Sequence, residues 1–143
     1  MLSLDILETE EVFGEHVVLE QLGILRHEGV RVGMDDVGSA YASLLRLKTL
    51  PVDLLKIDQA FVRDLPSHPR DRLFLDAILA LGQALGIRTV IEGVETRAHL
   101  DLLLRTSADA LQGYAIAQAL PAEDIPAFVA GFSLPPRGAR AYS

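Results

Sequence analysis

Acidic side chains recur in this chain just beyond short apolar runs. Glu8 follows the run ending at Ile6, Asp35 and Asp36 follow Met34, Asp58 follows Ile57, and Glu92 follows Ile91, with Glu95 three residues beyond it. In parallel α/β folds the C-terminal ends of the strands face one common side, and that side is where ligands bind. Carboxylates gathered there repel one another unless a cation lies between them, and oxygen-only ligands select Mg²⁺ or Mn²⁺. For any single one of these residues the plain alternative is a solvated loop acid. Asp35, Asp36 and Glu92 taken together favour the metal reading.

Lys56 adds to it. It sits inside the apolar run Asp53 to Ile57, where Leu54, Lys56 and Asp58 share one face and Leu55 and Ile57 the other. Such a lysine either snorkels at an edge or stands among acids, where it can orient a water or steady developing negative charge. A third possibility is a Schiff-base lysine inside a barrel. The neighbouring acids argue against it, because they raise the pKa and keep the amine protonated. The small-residue stretch Asp36 to Ser43 suits a loop passing close over a ligand, or a plain strand-to-helix connection. No glycine-rich phosphate loop, nucleophile elbow or paired-histidine motif is present, so P-loop and serine-hydrolase chemistry is set aside.

The elements that must position these residues alternate in type. Strands are expected over Leu2 to Ile6, Val30 to Met34, Asp53 to Ile57 and Ile87 to Ile91, with a weak one at Ala110 to Gln112. Helices are expected over Glu10 to His27, Asp71 to Leu85 and about Thr96 to Leu104, with Gly29 and Gly86 at two of the C-termini. Pro121 to Gly131 reads as a terminal helix with Pro121 near its first turn. Strands joined by single helices pair in parallel through right-handed crossovers, giving an α/β fold that is either a small open sheet or part of a barrel. Ser133 to Ser143 has too little apolar content to pack and is expected to be a mobile tail.

Length bounds the answer. With 143 residues the chain fits one domain, and a complete eight-stranded barrel of about 250 residues does not fit. Half the residues are hydrophobic and 23% are charged, as in ordinary globular domains. Thirteen Lys and Arg against 20 Asp and Glu give a formal charge of −7, which repels duplex nucleic acid. There are no cysteines, which excludes disulfides and thiolate metal sites. His16, His27, His68 and His99 are too far apart in sequence to pair on one helical turn and read as isolated surface residues. No apolar stretch approaches the ~18 residues of a membrane span, and no secretory signal is apparent, so a cytoplasmic location is the expectation.

Five segments, in order, resemble the EAL-domain phosphodiesterases that hydrolyse the bacterial second messenger cyclic di-GMP. Asp35-Asp36-Val37-Gly38-Ser39-Ala40-Tyr41-Ala42-Ser43-Leu44 is similar to the family's DDFGTGYSSL, and Leu50 to Asp58 to its LPVDxLKID. Glu92-Gly93-Val94-Glu95-Thr96 matches EGVET, Gln112-Gly113-Tyr114 matches QGY, and Leu2 to Thr9 resembles LELEITES. The resemblance implies a TIM-like barrel whose mouth holds two Mg²⁺ or Mn²⁺ ions and converts cyclic di-GMP to pGpG. Carried over by position, Glu8, Asp35 and Asp36 are metal ligands with Asp35 bridging, Glu92 holds metal and attacking water, and Lys56 positions that water. Gln112 and Asp58 face the substrate, and Glu11 and Glu95 brace the loop from Val37 to Ser43, which in the family couples the site to dimerisation.

The departures are specific. Val37 stands for the usual Phe, Ala40 for the second Gly, Leu7 for Thr, and Gln118-Ala119 for Arg-Pro. The family's Glu-Ala-Leu strand and a ligand asparagine lie upstream of the matched part and are absent here. Residues 1–132 therefore correspond to the C-terminal half of the domain. Half a barrel exposes two strand edges and an unfilled inner face, so a partner is expected, either the missing half or a second copy of the chain. The rival expectation is a degenerate module that binds cyclic di-GMP or a protein without hydrolysis.

Overall fold

The computed structural model describes residues 3–6, 15–37, 47–65 and 67–133, with Glu15, His16, Asp36 and Val37 by backbone alone. The strands are β1 (Ser3–Ile6), β2 (Arg31–Val37), β3 (Leu54–Ile57), β4 (Arg88–Ile91) and β5 (Ala110–Leu111). The helices among the described residues are α1 (Glu15–His27), α2 (Ala60–Arg63), α3 (Pro69–Leu85), α4 (Arg97–Leu103) and α5 (Ile125–Gly131). Every pairing is parallel and the spatial order is β1-β2-β3-β4-β5. A doubly wound sheet reverses its order at a switch point, whereas a barrel adds each strand beside the last. The sequential order therefore selects between the two arrangements left open by the sequence: the chain is a five-strand arc of a TIM-like barrel.

Period-two alternation gives the arc two unlike faces. Met34, Leu55, Ile57 and Ile91 are buried in one cluster with Leu75, Ile78 and Leu79 of α3 and Leu100 and Leu103 of α4. On the opposite face Leu54, Lys56, Val90 and Ala110 are only half-buried. That face is the barrel interior, which opposing strands fill when the barrel closes. Among the described residues β1 and β5 each pair along a single edge.

The helix ends deliver the chain into the strands. α3 opens on Pro69, whose missing N–H costs nothing in a first turn, and closes at Gly86 in the left-handed region. There the Ile87 N–H donates to the Gly82 carbonyl at 2.9 Å and the Gly86 N–H to Gln83 at 3.2 Å. α1 closes the same way, with the Val30 N–H on the Leu25 carbonyl at 3.0 Å. Each cap leads straight into the next strand, β4 or β2.

Two aspartates then clasp the strand beginnings. The Asp53 carboxylate accepts the Val32 N–H at 3.0 Å and two Arg26 guanidinium bonds at 2.6 and 3.1 Å, tying β3 to β2 and α1. Burial pushes the Asp53 pKa up, but the Val32 N–H and the Arg26 charge outweigh it and hold the carboxyl below its ordinary value. Asp109 repeats the device before β5, accepting the Thr89 N–H at 2.7 Å and the Thr89 hydroxyl at 3.1 Å. Both lie at the bottom of the arc, where barrels keep stability rather than chemistry.

Several sequence expectations are corrected. β2 runs to Val37, so Asp35 and Asp36 lie within the strand and not after it. α5 starts at Ile125; Pro121 to Asp124 forms a preceding turn, closed by the Asp124 N–H on the Pro121 carbonyl at 3.0 Å, and the proline in the first helical turn is Pro126. His27 and His68 are exposed, but His99 is buried on the inward side of α4 beside Leu100, its own N–H taken by the Thr96 hydroxyl that caps the helix. The expected helix portion 10–14 and the tail beyond Ser133 lie outside the described residues.

Candidate functional site at the strand C-terminal ends

Pairing between β2 and β3 runs Gly33 to Leu54 and Met34 to Leu55, then jumps to Val37 with Ile57. Asp35 and Asp36 thus share the step that Lys56 takes alone, which is a β-bulge. Bulges re-aim side chains and recur beside active sites. This one lies where Asp35, on the same interior face as Gly33, meets Lys56.

Lys56 is the centre of the site. Its Nζ lies 3.1 Å from Asp35 Oδ2, 3.2 Å from Asp5 Oδ2 and 2.9 Å from Glu92 Oε1. The acids come from three different strand ends, β2, β1 and β4. The first two contacts are hydrogen bonds. Glu92 Oε1 is buried and makes a close ion pair with the amine. Desolvation pulls the Lys56 pKa down, but Glu92, Asp35 and Asp5 together overcome it and raise it above the ordinary lysine range. The amine is a fixed cation, which disfavours the Schiff-base reading as the neighbouring acids led us to expect. Among the described residues one ammonium faces three carboxylates.

Beside this cluster an open cleft of about 350 Å³ is lined by Asp58, Gln59, Glu92, Glu95, Gln112 and Tyr114, with Gly93 and Gly113. Its floor is two loops knitted by backbone bonds. The Gln112 N–H donates to Ile91 at 2.8 Å, the Val94 N–H to Gln112 at 3.0 Å and the Ala115 N–H to Val94 at 2.8 Å. Gly113 lies so close to the Val94 backbone that a Cβ would overlap it. One Asp58 oxygen is committed to the Ala60 N–H at 2.6 Å, which shapes the turn into α2 and leaves the other oxygen for the cleft.

Of the residues singled out in the sequence, the structure brings Asp35, Lys56 and Glu92 into contact and sets Asp58, Glu95 and Gln112 around the adjoining cleft. The backbone places Asp36 in the bulge. Glu8, Glu11 and the loop 38–46 lie outside the described residues. Asp5 was missed, because the alternation of Leu2, Leu4 and Ile6 leaves Ser3 and Asp5 looking like a solvent-facing stripe. Their face is the barrel interior. Gln59 and Tyr114 were also missed as cleft residues; their adjacency to Asp58 and Gln112 was the available signal.

The acids around Lys56 offer oxygen donors, the kind a hard divalent cation takes, and Glu92 Oε1 among them is buried. Among the described residues no group of three or more acid or histidine side chains is placed so that it could hold a metal ion.

Comparison with known proteins bears on this arrangement. The EAL domain family model matches residues 1–119. The bifunctional diguanylate cyclase/cyclic di-GMP phosphodiesterase MucR of Pseudomonas aeruginosa is 43% identical over 114 residues, which cover 80% of this chain and 16% of that protein. The crystal structure of the EAL domain of Mycobacterium smegmatis DcpA overlays with a TM-score of 0.83 at 38% identity, over 93% of this chain and 60% of that one. The PaMucR phosphodiesterase, solved as a c-di-GMP complex, overlays at 0.76 and 38% identity, over 87% of this chain and 50% of that one. The chain therefore spans a small fraction of MucR and little more than half of the solved domain it overlays best of these two.

Proposed function

The chain belongs to the EAL-domain family, and from that premise we propose that it carries the metal-facing half of a cyclic di-GMP phosphodiesterase site. The observation that supports this reading is the convergence of Asp5, Asp35 and Glu92 on Lys56 at the strand ends, next to the cleft that holds Gln112. Asp35 and Glu92, together with Asp36 and Glu8, would hold Mg²⁺ or Mn²⁺, and Asp5 adds its charge to theirs. When bound, such ions supply a hydroxide at neutral pH and neutralise a leaving alkoxide.

The chain's own residues do the rest. Lys56, locked as a cation, steadies negative charge developing on the phosphoryl oxygens and orients a water beside Glu92. Gln112 presents an amide with both donor and acceptor groups to the cleft, and the free oxygen of Asp58 suits a donor on a guanine edge. Glu95 and Glu11 would act together as bracing residues for the segment 37–43. The linear dinucleotide pGpG is the product, and the reaction belongs to the cytoplasm, where a nucleotide messenger is made and read. The unfilled interior face and the single-edged β1 and β5 are completed by further strands, supplied by the remainder of an EAL barrel or by a second copy of the chain.

The test is Mg²⁺- or Mn²⁺-dependent conversion of cyclic di-GMP to pGpG, for this chain alone and joined to an upstream EAL half-barrel. Turnover by the joined protein, with little by the chain alone, is expected. A second reading, binding without hydrolysis, is favoured by one observation: the described carboxylates are already drawn to an internal cation. Calorimetry showing nucleotide binding without turnover in Mg²⁺ supports that reading instead.

A further inference from the structure

We infer that Gly33 is a positioning residue for the rim cluster: its missing side chain is the notch through which the Asp5 carboxylate crosses β2 to reach Lys56 on β3. Asp5, Gly33 and Leu54 are in register across the three strands, and Lys56 stands two residues beyond Leu54 on the same interior face. A lysine on β3 and an aspartate on β1 are not neighbours. The strand between them separates their side chains wherever it carries a Cβ on that face.

At position 33 it carries none. Gly33 is buried, and a Cβ built there overlaps Asp5 Oδ1; the next atoms, Asp5 Cγ at 3.5 Å and Leu4 O at 3.8 Å, are at ordinary contact distance. The one obstacle to a methyl group is therefore the carboxylate itself. Gly33 is also not among the glycines with positive φ, so its backbone does not require glycine. In a regular strand glycine is the weaker choice, costing more chain entropy than alanine and packing nothing. Its place here is explained by the side chain leaning over it.

That carboxylate is held at both ends. Oδ1, resting over Gly33, accepts the Ser3 hydroxyl at 3.3 Å, and Oδ2 meets Lys56 Nζ at 3.2 Å. A methyl group at 33 pushes Asp5 out of the notch toward solvent, to which its side chain is already 38% exposed, and removes one of the three acids from the cluster. Asp35 and Glu92 keep their places, since neither touches position 33.

The inference rests on the proposed metal reading for its effect on function, and two readouts separate the two. Chains with Gly33→Ala, Asp5→Ala, both together, and Gly33→Ala with Asp5→Glu are compared by Mn²⁺ affinity, from the EPR signal of free Mn²⁺, and by melting temperature without metal. Gly33→Ala is expected to weaken Mn²⁺ binding about ten-fold. It adds nothing once Asp5 is Ala, and Asp5→Glu restores affinity by carrying the carboxylate over the new methyl. Wild-type affinity in Gly33→Ala, an equal loss in the Asp5→Ala background, or no rescue by glutamate overturns the inference. If the unaltered chain binds no Mn²⁺, the metal reading fails, and the melting cycle decides on the notch alone. A larger gain from Gly33→Ala in the Asp5→Ala background upholds it, and additive shifts refute it.

Discussion

The Asp35 carboxylate stands 3.1 Å from the Lys56 ammonium across a β-bulge that gives β2 two residues where β3 has one. Asp35 shares the interior face with Gly33 by ordinary alternation, and the extra residue falls at the step where Asp35 and Asp36 together oppose Lys56.

Replacing Lys56 with Met leaves three carboxylates facing one another without their cation. The metal-free chain is expected to lose about 2 kcal/mol of stability, the worth of charge-assisted hydrogen bonds in a half-buried site. Turnover in an intact barrel is expected to fall by about 10²-fold or more, the usual cost of losing a preorganised charge at a reacting phosphate. Urea unfolding and initial-rate assays read the two effects separately.

The Asp53 clasp predicts a pH signature. The folded pKa lies below the ordinary value of 3.8, so the clasp's stabilisation is fully present above that value and is lost as pH falls through the folded pKa. Asp53→Asn is expected to cost about 1 kcal/mol at neutral pH, a modest figure because Arg26 is largely solvated. The gap between variant and wild type narrows below about pH 4, which unfolding curves at several pH values measure.

Gly113→Ala sets a Cβ into the Val94 backbone. Overpacking of this kind costs about 1–3 kcal/mol. Because Val94 and Gln112 are knitted together, the shift also opens the cleft floor, and nucleotide affinity is expected to fall more than it does for a conservative change at exposed Tyr114. Thermal melts and titration calorimetry on the two variants test the difference.

Leu79 on α3 is fully buried against the strand face opposite the rim. Leu79→Ala is expected to cost about 2–5 kcal/mol. Chemical denaturation of the metal-free chain measures it.

Much of this was legible in the residue pattern. The apolar runs of β3 and β4 and the periodic face of α3 each carry a signal longer than their boundaries are uncertain, and Gly29 and Gly86 mark helix ends by backbone geometry alone. Lys56 declared itself by being charged within an apolar strand. Asp5 did not, because alternation says which residues share a face and not whether that face meets water or a barrel interior. The bulge was illegible for a related reason: periodicity belongs to one strand, and a bulge exists only between two. His99 was misread because its burial comes from the side of α4 that faces the core, beside Leu100 and Leu103, and not from its own polarity.

The most direct test of the metal reading is anomalous diffraction from crystals of the chain soaked in MnCl₂. Peaks are expected at the strand C-terminal ends, within about 2.0–2.3 Å of carboxylate oxygens of Asp35 and Glu92. Crystals with no anomalous peak there, or with manganese bound only elsewhere, contradict it.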